Sequence, residues 1–175
     1  MAEQQTTEAD GQPQTGGPSG PLDPVVRAFR LVTYGCGTAF DAQAWEPIRN
    51  RDFCKPDGGL WASPVGASWG WQQWCESEQW GDLSTRFETE FCGRVFTIDG
   101  LGDAKRMPWR TNAKYSWGLW PDFEAMLAAG VQAIHMTERG QDEMRFCYPY
   151  SLYGWDCECV LVMDANCISR PFASP

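Results

Sequence analysis

Two carboxylate side chains stand at the beginning of an apolar segment near the C-terminal end of the chain. Asp156 and Glu158 lie two positions apart, and Val160 and Val162 continue the same alternation. If residues 156–164 form a strand, both acids share one face with these valines. Partly buried carboxylates are costly unless they are hydrogen-bonded or functional, and two that lie close together repel each other. The pair is therefore a candidate reactive centre. The alternative is that both acids lie at an exposed end of the sheet and are simply solvated.

Cysteine and histidine are the other residue types with reactive potential. The chain has eight cysteines, at positions 36, 54, 75, 92, 147, 157, 159 and 167. No CxxC pair occurs. The close pair Cys157 and Cys159 could be joined by only one histidine ligand, His135. We expect reduced thiols that act as small buried hydrophobes without a metal, and a zinc-dependent enzyme, which requires bound metal, is the alternative. His135 has no candidate partner in the sequence and is predicted to be structural, which argues against a His-dependent triad.

The charge balance bears on the classes of partner. Fourteen basic against twenty-three acidic side chains give a net charge of -9. An acidic surface repels phosphate backbones at long range, so general nucleic-acid binding is not expected. The N-terminal segment lacks the basic and apolar pattern of a secretory signal, and no stretch approaches the roughly 18 apolar residues that span a bilayer. We therefore expect a cytoplasmic protein that has no membrane contact.

Composition divides the chain into a tail and one domain. Residues 1–21 contain no aromatic and almost no aliphatic side chains, and they are predicted to form a disordered, acidic and polar tail. Residues 22–175 hold all ten tryptophans. A segment of this size and composition suits a single domain with one apolar core.

Strand and helix patterns alternate irregularly within this domain. Strand composition occurs at 27–34, 60–64, 86–91, 94–99, 131–137 and 156–164. Helical spacing is found at 69–79, with Ser68 as the predicted N-cap, and in a segment that opens at Pro121 and stops at Gly130. Residues 92–93 are predicted to separate two of the strands. The order of these strands and helices favours an α+β fold with a mixed or antiparallel sheet. The sequence has no GxGxxG motif and no P-loop, which argues against dehydrogenases and ATPases built on those motifs.

Three segments together resemble the ADP-ribosyltransferase superfamily, in the variant whose signature is an arginine on the first strand, a serine on a following strand and a glutamate on a late strand. They are FRLVTY at 29–34, GLWASP at 59–64 and DCE at 156–158. More narrowly, KPDGGLWASP and SLYGWDCEC are similar to a family of small proteins common in actinobacterial bacteriophages. The resemblance covers about residues 25–168 and implies a mixed or antiparallel two-sheet ADP-ribosyltransferase-like fold with short helices.

The resemblance also implies a cleft between two sheets that binds NAD. In such a cleft, Glu158 would stabilise the oxocarbenium-like transition state that forms when the bond between nicotinamide and ribose breaks. Arg30 would bind a phosphate or ribose of the dinucleotide through its fork of donors. Ser63 would position Glu158 or the ribose.

The same resemblance assigns the acceptor and the nicotinamide to further residues. Asp156 occupies the position two before the glutamate, where relatives carry Glu or Gln to engage the acceptor. The side chain of Asp is shorter than that of Glu or Gln, so the resemblance does not imply that arginine or guanine is the acceptor. Tyr34, Trp61 or Trp155 would stack on the nicotinamide ring. Ala62 departs from the Ser-Thr-Ser sequence that is often found in the serine strand.

The implied function is that of an NAD-dependent mono-ADP-ribosyltransferase, phage-encoded and acting on a host protein or nucleic acid in the host cytoplasm. Hydrolysis of NAD is a variant of the same chemistry. The alternative is a non-catalytic virion or host-factor-binding protein on the same fold, which the tryptophans clustered at 61–80 favour because aromatic side chains anchor interfaces. For single residues, the alternatives are a surface ion pair for Arg30, a turn role for Ser63 and a strand-start role for Asp156.

Overall fold

The computed structural model describes residues 21–111 and 118–169. Its strands are β1 (Val25–Tyr34), β2 (Leu60–Pro64), β3 (Arg86–Ile98), β4 (Trp109–Thr111), β5 (Leu119–Pro121), β6 (Ala133–Met136), β7 (Cys159–Val162) and β8 (Ile168–Ser169). Its α-helices are α1 (Trp71–Glu78), α2 (Leu101–Ala104), α3 (Phe123–Ala128) and α4 (Glu138–Met144). Apart from Pro21, the predicted tail lies outside the described residues. None of the described helices has the length and apolar character needed to cross a bilayer.

Five strands pair in a closed ring. β1 pairs with β2, β2 with β7, β7 with β6, β6 with β3, and β3 returns to β1. The β3–β6 pair is parallel, and the other four pairs are antiparallel. β8 extends the sheet at β3, and β4 with β5 forms a separate small sheet. The predicted α+β class with a mixed sheet and short helices is therefore confirmed.

The ring separates two apolar cores. Its interior is filled by seven buried side chains: Leu31, Ala62, Phe91, Val95, Ala133, Val160 and Val162. A larger core lies between the outer face of β6 and β7 and the helices, and it contains Ile134, Leu161 and Phe123. β7 is apolar on both faces, and β6 is apolar apart from His135, because each face packs on one of these cores.

β3 is one continuous strand of 13 residues, so the prediction of two strands separated at residues 92–93 is wrong. Gly93 stays in the ladder, where it pairs with Arg27 of β1. A Cβ atom at this position would lie 2.9 Å from Sγ of Cys167 and 3.0 Å from the ring of Phe91. The glycine therefore permits close packing within a strand and does not mark a strand end.

Both predicted helices exist, but their starts differ from the predictions. Gly70 is the N-cap of α1, whereas the hydroxyl of Ser68 hydrogen-bonds the carboxylate of Glu138. Pro121 ends β5, and α3 begins at Phe123 after Asp122, whose side chain accepts a hydrogen bond from the N–H of residue 125. An aspartate N-cap satisfies a free backbone donor, which a proline at the first position does not.

Candidate functional site

The two carboxylates singled out in the sequence contact different groups. β7 begins only at Cys159, so residues 156–158 precede the strand, and the predicted shared face of Asp156 and Glu158 is not formed. Oε1 of Glu158 lies 2.9 Å from Nε2 of His135. The carboxylate of Asp156 instead lies 4.0 Å from Nζ of Lys55 and 3.7 Å from a guanidinium nitrogen of Arg145. The acids therefore belong to separate sites.

Glu158 and His135 form a pair at the end of the ring where β6 stops and β7 starts. His135 follows Ala133 by two positions on β6, so its side chain points into the ring. The side chains of His135 and Glu158 are 11% and 19% exposed, so part of the carboxylate remains at the surface. The ring of Phe29 packs edge-on against the imidazole, with 5.1 Å between their centroids.

The tautomer of His135 follows from its partner. A carboxylate only accepts hydrogen bonds, so Nε2 must carry the proton that it donates to Glu158. Nδ1 is buried and has no hydrogen-bond partner among the described residues. The expectation that His135 lacks a partner is wrong, because Glu158 lies in the segment just before the neighbouring strand β7. Strand alternation directs His135 into the ring, and the register of β6 against β7 brings it to Glu158.

A second acidic group lies near this pair. Asp99 follows β3 and accepts hydrogen bonds from the hydroxyl of Thr137 and from the guanidinium of Arg139. These two contacts, with a smaller contribution from His135, lower the pKa of the Asp99 carboxyl below its ordinary value. This end of the ring therefore carries a second ionised carboxylate, whose charge is balanced by Arg139.

Ser63 connects β2, α1 and the backbone of Glu158. Its buried Oγ donates to the carbonyl oxygen of Glu158 and accepts from the N–H of Trp71, and both distances are 2.8 Å. The N–H of Glu158 in turn donates to the carbonyl of Trp69. Ser63 is therefore a strand residue that fixes the position of residue 158, and the alternative of a turn role does not apply.

Arg30 and Tyr34 lie on the outer face of the ring wall. Arg30 follows Phe29, which faces the interior, so alternation directs Arg30 outward. Its side chain is 68% exposed and forms a 2.9 Å ion pair with Glu88, as the surface-pair alternative expects. The hydroxyl of Tyr34 donates to Oε1 of Gln72 on α1 at 2.7 Å. Tyr34 and Ser63 line a cavity of about 230 Å³ between β1, β2 and α1.

Trp61 and Asp156 line a different cavity, of about 190 Å³, which we call the tryptophan pocket. Its aromatic walls are Trp61, Trp71, Trp74, Trp80 and Trp155. Lys55 and Asp156 are its charged members. Trp71 and Trp74 of α1 are partly buried, pack against the larger core and also border this cavity. The density of tryptophan at 61–80 was the signal in the sequence.

All eight cysteines are free thiols. Cys157 and Cys159 border the tryptophan pocket and interact with each other, which together with burial raises the pKa of Cys159 above its ordinary value. Burial likewise raises the pKa of the Cys54 thiol to about 12. Within the described part of the chain, no group of three or more His, Cys, Asp or Glu side chains is arranged to hold a metal ion.

Comparisons of this chain with protein-family models, with curated proteins and with solved structures find no match. A function for these sites is therefore inferred from their own residues and geometry.

Proposed function

We propose that the protein cleaves NAD between nicotinamide and ribose and transfers ADP-ribose to a host macromolecule, with Glu158 at the reacting centre. One observation carries the proposal. The segments that hold Arg30, Ser63 and Glu158 lie far apart in sequence, but β1, β2 and β7 are hydrogen-bonded neighbours in the sheet. The hydroxyl of Ser63 bonds the backbone of residue 158, which supports the positioning role proposed for this serine.

The chemistry is set by the charge that develops during the reaction. The bond between C1′ of the ribose and the nicotinamide nitrogen breaks, and its electron pair leaves with nicotinamide, which becomes neutral. Positive charge then develops on the ribose, and the carboxylate of Glu158 stabilises it. An acceptor oxygen or nitrogen attacks C1′ and releases its proton to solvent water. The hydrogen bond from His135 holds the carboxylate in one orientation during these steps.

The remaining proposed residues are assigned to binding and lie away from Glu158. Arg30 and Tyr34 face the outside of the ring, so any phosphate or ribose that they bind lies on that surface. Trp61 and Asp156 border the tryptophan pocket. There, we propose that Trp61 stacks on nicotinamide and that Asp156 engages the acceptor. We therefore expect substitution of Arg30 to change KM more than kcat.

The test is nicotinamide release from NAD by wild-type protein and by Glu158→Gln, assayed with and without host lysate. Glu158→Gln keeps the side-chain shape and removes the charge, so release is expected to disappear while the fold persists. Glu78→Gln is the matched control, because it removes the charge of an exposed acid at the end of α1 that has no proposed role in NAD binding. If the wild type neither binds NAD nor releases nicotinamide, the proposal is wrong.

A second candidate function is that of a non-catalytic binding protein, either a virion component or a host-factor ligand. The tryptophan pocket favours it, because partly exposed aromatic rings beside charged groups are typical of recognition sites. Stable co-purification with a partner, together with an absence of NAD binding, would favour this function over catalysis.

A further inference from the structure

The tryptophan pocket presents aromatic faces from several directions. The rings of Trp61 and Trp155 have centroids 4.7 Å apart and planes inclined at 70°. Those of Trp74 and Trp80 are 5.5 Å apart and inclined at 56°. Rings at such angles form walls around a space instead of one stacked column. The negative face of an indole ring attracts cations, and several such faces around one cavity add their attraction.

An ammonium group of the protein already occupies the edge of this space. Nζ of Lys55 lies 5.3 Å from the centroid of the Trp61 ring and 4.0 Å from the carboxylate of Asp156. Among the described residues, this ammonium makes no hydrogen bond within 3.5 Å. The side chain is 37% exposed, so it can move into solvent at little cost. Lys55 therefore shows that the pocket attracts an ammonium without holding this one firmly.

Asp156 supplies the fixed charge. Its side chain is 20% exposed, and its two ion pairs, with Lys55 and Arg145, are long, at 4.0 and 3.7 Å. Within residues 21–111 and 118–169, no side-chain hydrogen bond reaches its carboxylate. A half-buried carboxylate with free acceptor capacity beside aromatic walls favours a cationic ligand over a neutral or anionic one.

We propose that the tryptophan pocket binds a methylated ammonium group, which displaces the ammonium of Lys55. A primary ammonium has three N–H donors that need acceptors, and the pocket offers one carboxylate and mostly ring faces. A trimethylammonium group has no donors and presents its charge through methyl groups that fit against rings. The ligand is either a trimethyl-lysine side chain of a peptide or a small molecule such as choline. This inference does not need NAD cleavage at Glu158, which lies at a separate site, and it gives Trp61 and Asp156 a ligand other than nicotinamide and the acceptor.

The experiment titrates the full chain with choline, with a short peptide that contains trimethyl-lysine, and with 3,3-dimethyl-1-butanol, the neutral isostere of choline. Tryptophan fluorescence and calorimetry report binding. We expect both cations to change the emission and the neutral isostere to bind about 10-fold more weakly. Tighter binding of the peptide than of choline would identify a protein side chain as the source, and the reverse would identify a small molecule.

Three variants locate the binding. Asp156→Asn is expected to weaken choline binding several-fold, and Lys55→Met, which keeps the stem and removes the competing charge, is expected to strengthen it. Asp142→Asn, an exposed acid on α4, is the control that removes the same charge elsewhere. Equal binding of the neutral isostere, binding of neither cation, or equal affinity of the wild type and Asp156→Asn would each overturn the proposal. None of the three substituted side chains belongs to the buried core, so folding is expected to persist.

Discussion

The carboxylate of Glu158, the residue just before β7, is hydrogen-bonded at 2.9 Å to the imidazole of His135 on the neighbouring strand β6. His135 fixes the carboxylate at one end of the ring, and Ser63 fixes the backbone of the same residue. A charged group that is held from two sides and is still partly exposed is suited to stabilise charge in a bound molecule.

Glu158→Gln tests this arrangement directly. If Glu158 stabilises a developing cation, kcat for nicotinamide release falls by about 100-fold or more, with little change in KM. Steady-state kinetics of both proteins, with thermal unfolding as the check on folding, measure it. Equal kcat values would place the chemistry elsewhere.

His135→Gln and His135→Ala distinguish a positioning role from a purely structural one. Glutamine keeps an N–H donor that can reach the carboxylate, whereas alanine leaves Glu158 without this partner. We expect kcat to fall by about 10-fold in the alanine variant and to recover substantially in the glutamine variant. If both variants lose stability equally and neither changes kcat, His135 acts only in packing.

Ser63→Ala is expected to lower the free energy of unfolding by about 1–3 kcal/mol. The change removes two hydrogen bonds and leaves the carbonyl of Glu158 and the N–H of Trp71 without their partner in a buried place. Urea denaturation measures the effect. Ser77→Ala, on the exposed side of α1, is the matched control and is expected to be within about 0.5 kcal/mol of the wild type.

Gly93→Ala should destabilise the fold by about 1–3 kcal/mol, because the new methyl group would lie 2.9 Å from Sγ of Cys167 and 3.0 Å from Oε1 of Gln132. In contrast, a Cβ atom at Gly102 on α2 has no atom within 4 Å, so Gly102→Ala is expected to be neutral or stabilising. Thermal melts of the two variants compare them. Equal effects would contradict the packing role of Gly93.

Thiol reactivity should separate the cysteines by burial. Cys36 and Cys92 are exposed and are expected to react first with a disulfide reagent at pH 8, whereas buried Cys54 should react only after unfolding. Because burial raises the pKa of Cys54 from 9.0 to about 12, its thiol ionises first in the unfolded chain. Its contribution to stability is therefore complete below pH 9 and is lost as the pH rises from 9 towards 12. Mass spectrometry of labelled protein and alkaline denaturation of Cys54→Ala, compared with wild type, check both expectations.

Local pattern in the sequence was enough to find most of the strands. β2, β6 and β7 lie within predicted segments, and β1 begins two residues before its predicted segment, because runs of β-branched and aromatic residues depend on nearest neighbours alone. The alternation of Val160 and Leu161 between two cores also follows from the period of a strand. By contrast, the continuity of β3 through Gly93 depends on what packs against it, which no local window contains.

The sequence by itself determined the class of fold, the acidic balance, the two candidate carboxylates and the concentration of tryptophan between positions 61 and 80. Only the tertiary structure decided that Glu158 pairs with His135 and that Asp156 joins a separate pocket with Lys55. The physical reason is that these contacts depend on strand register and on where β7 begins. A shift of one residue in either would turn the same side chains to the opposite face.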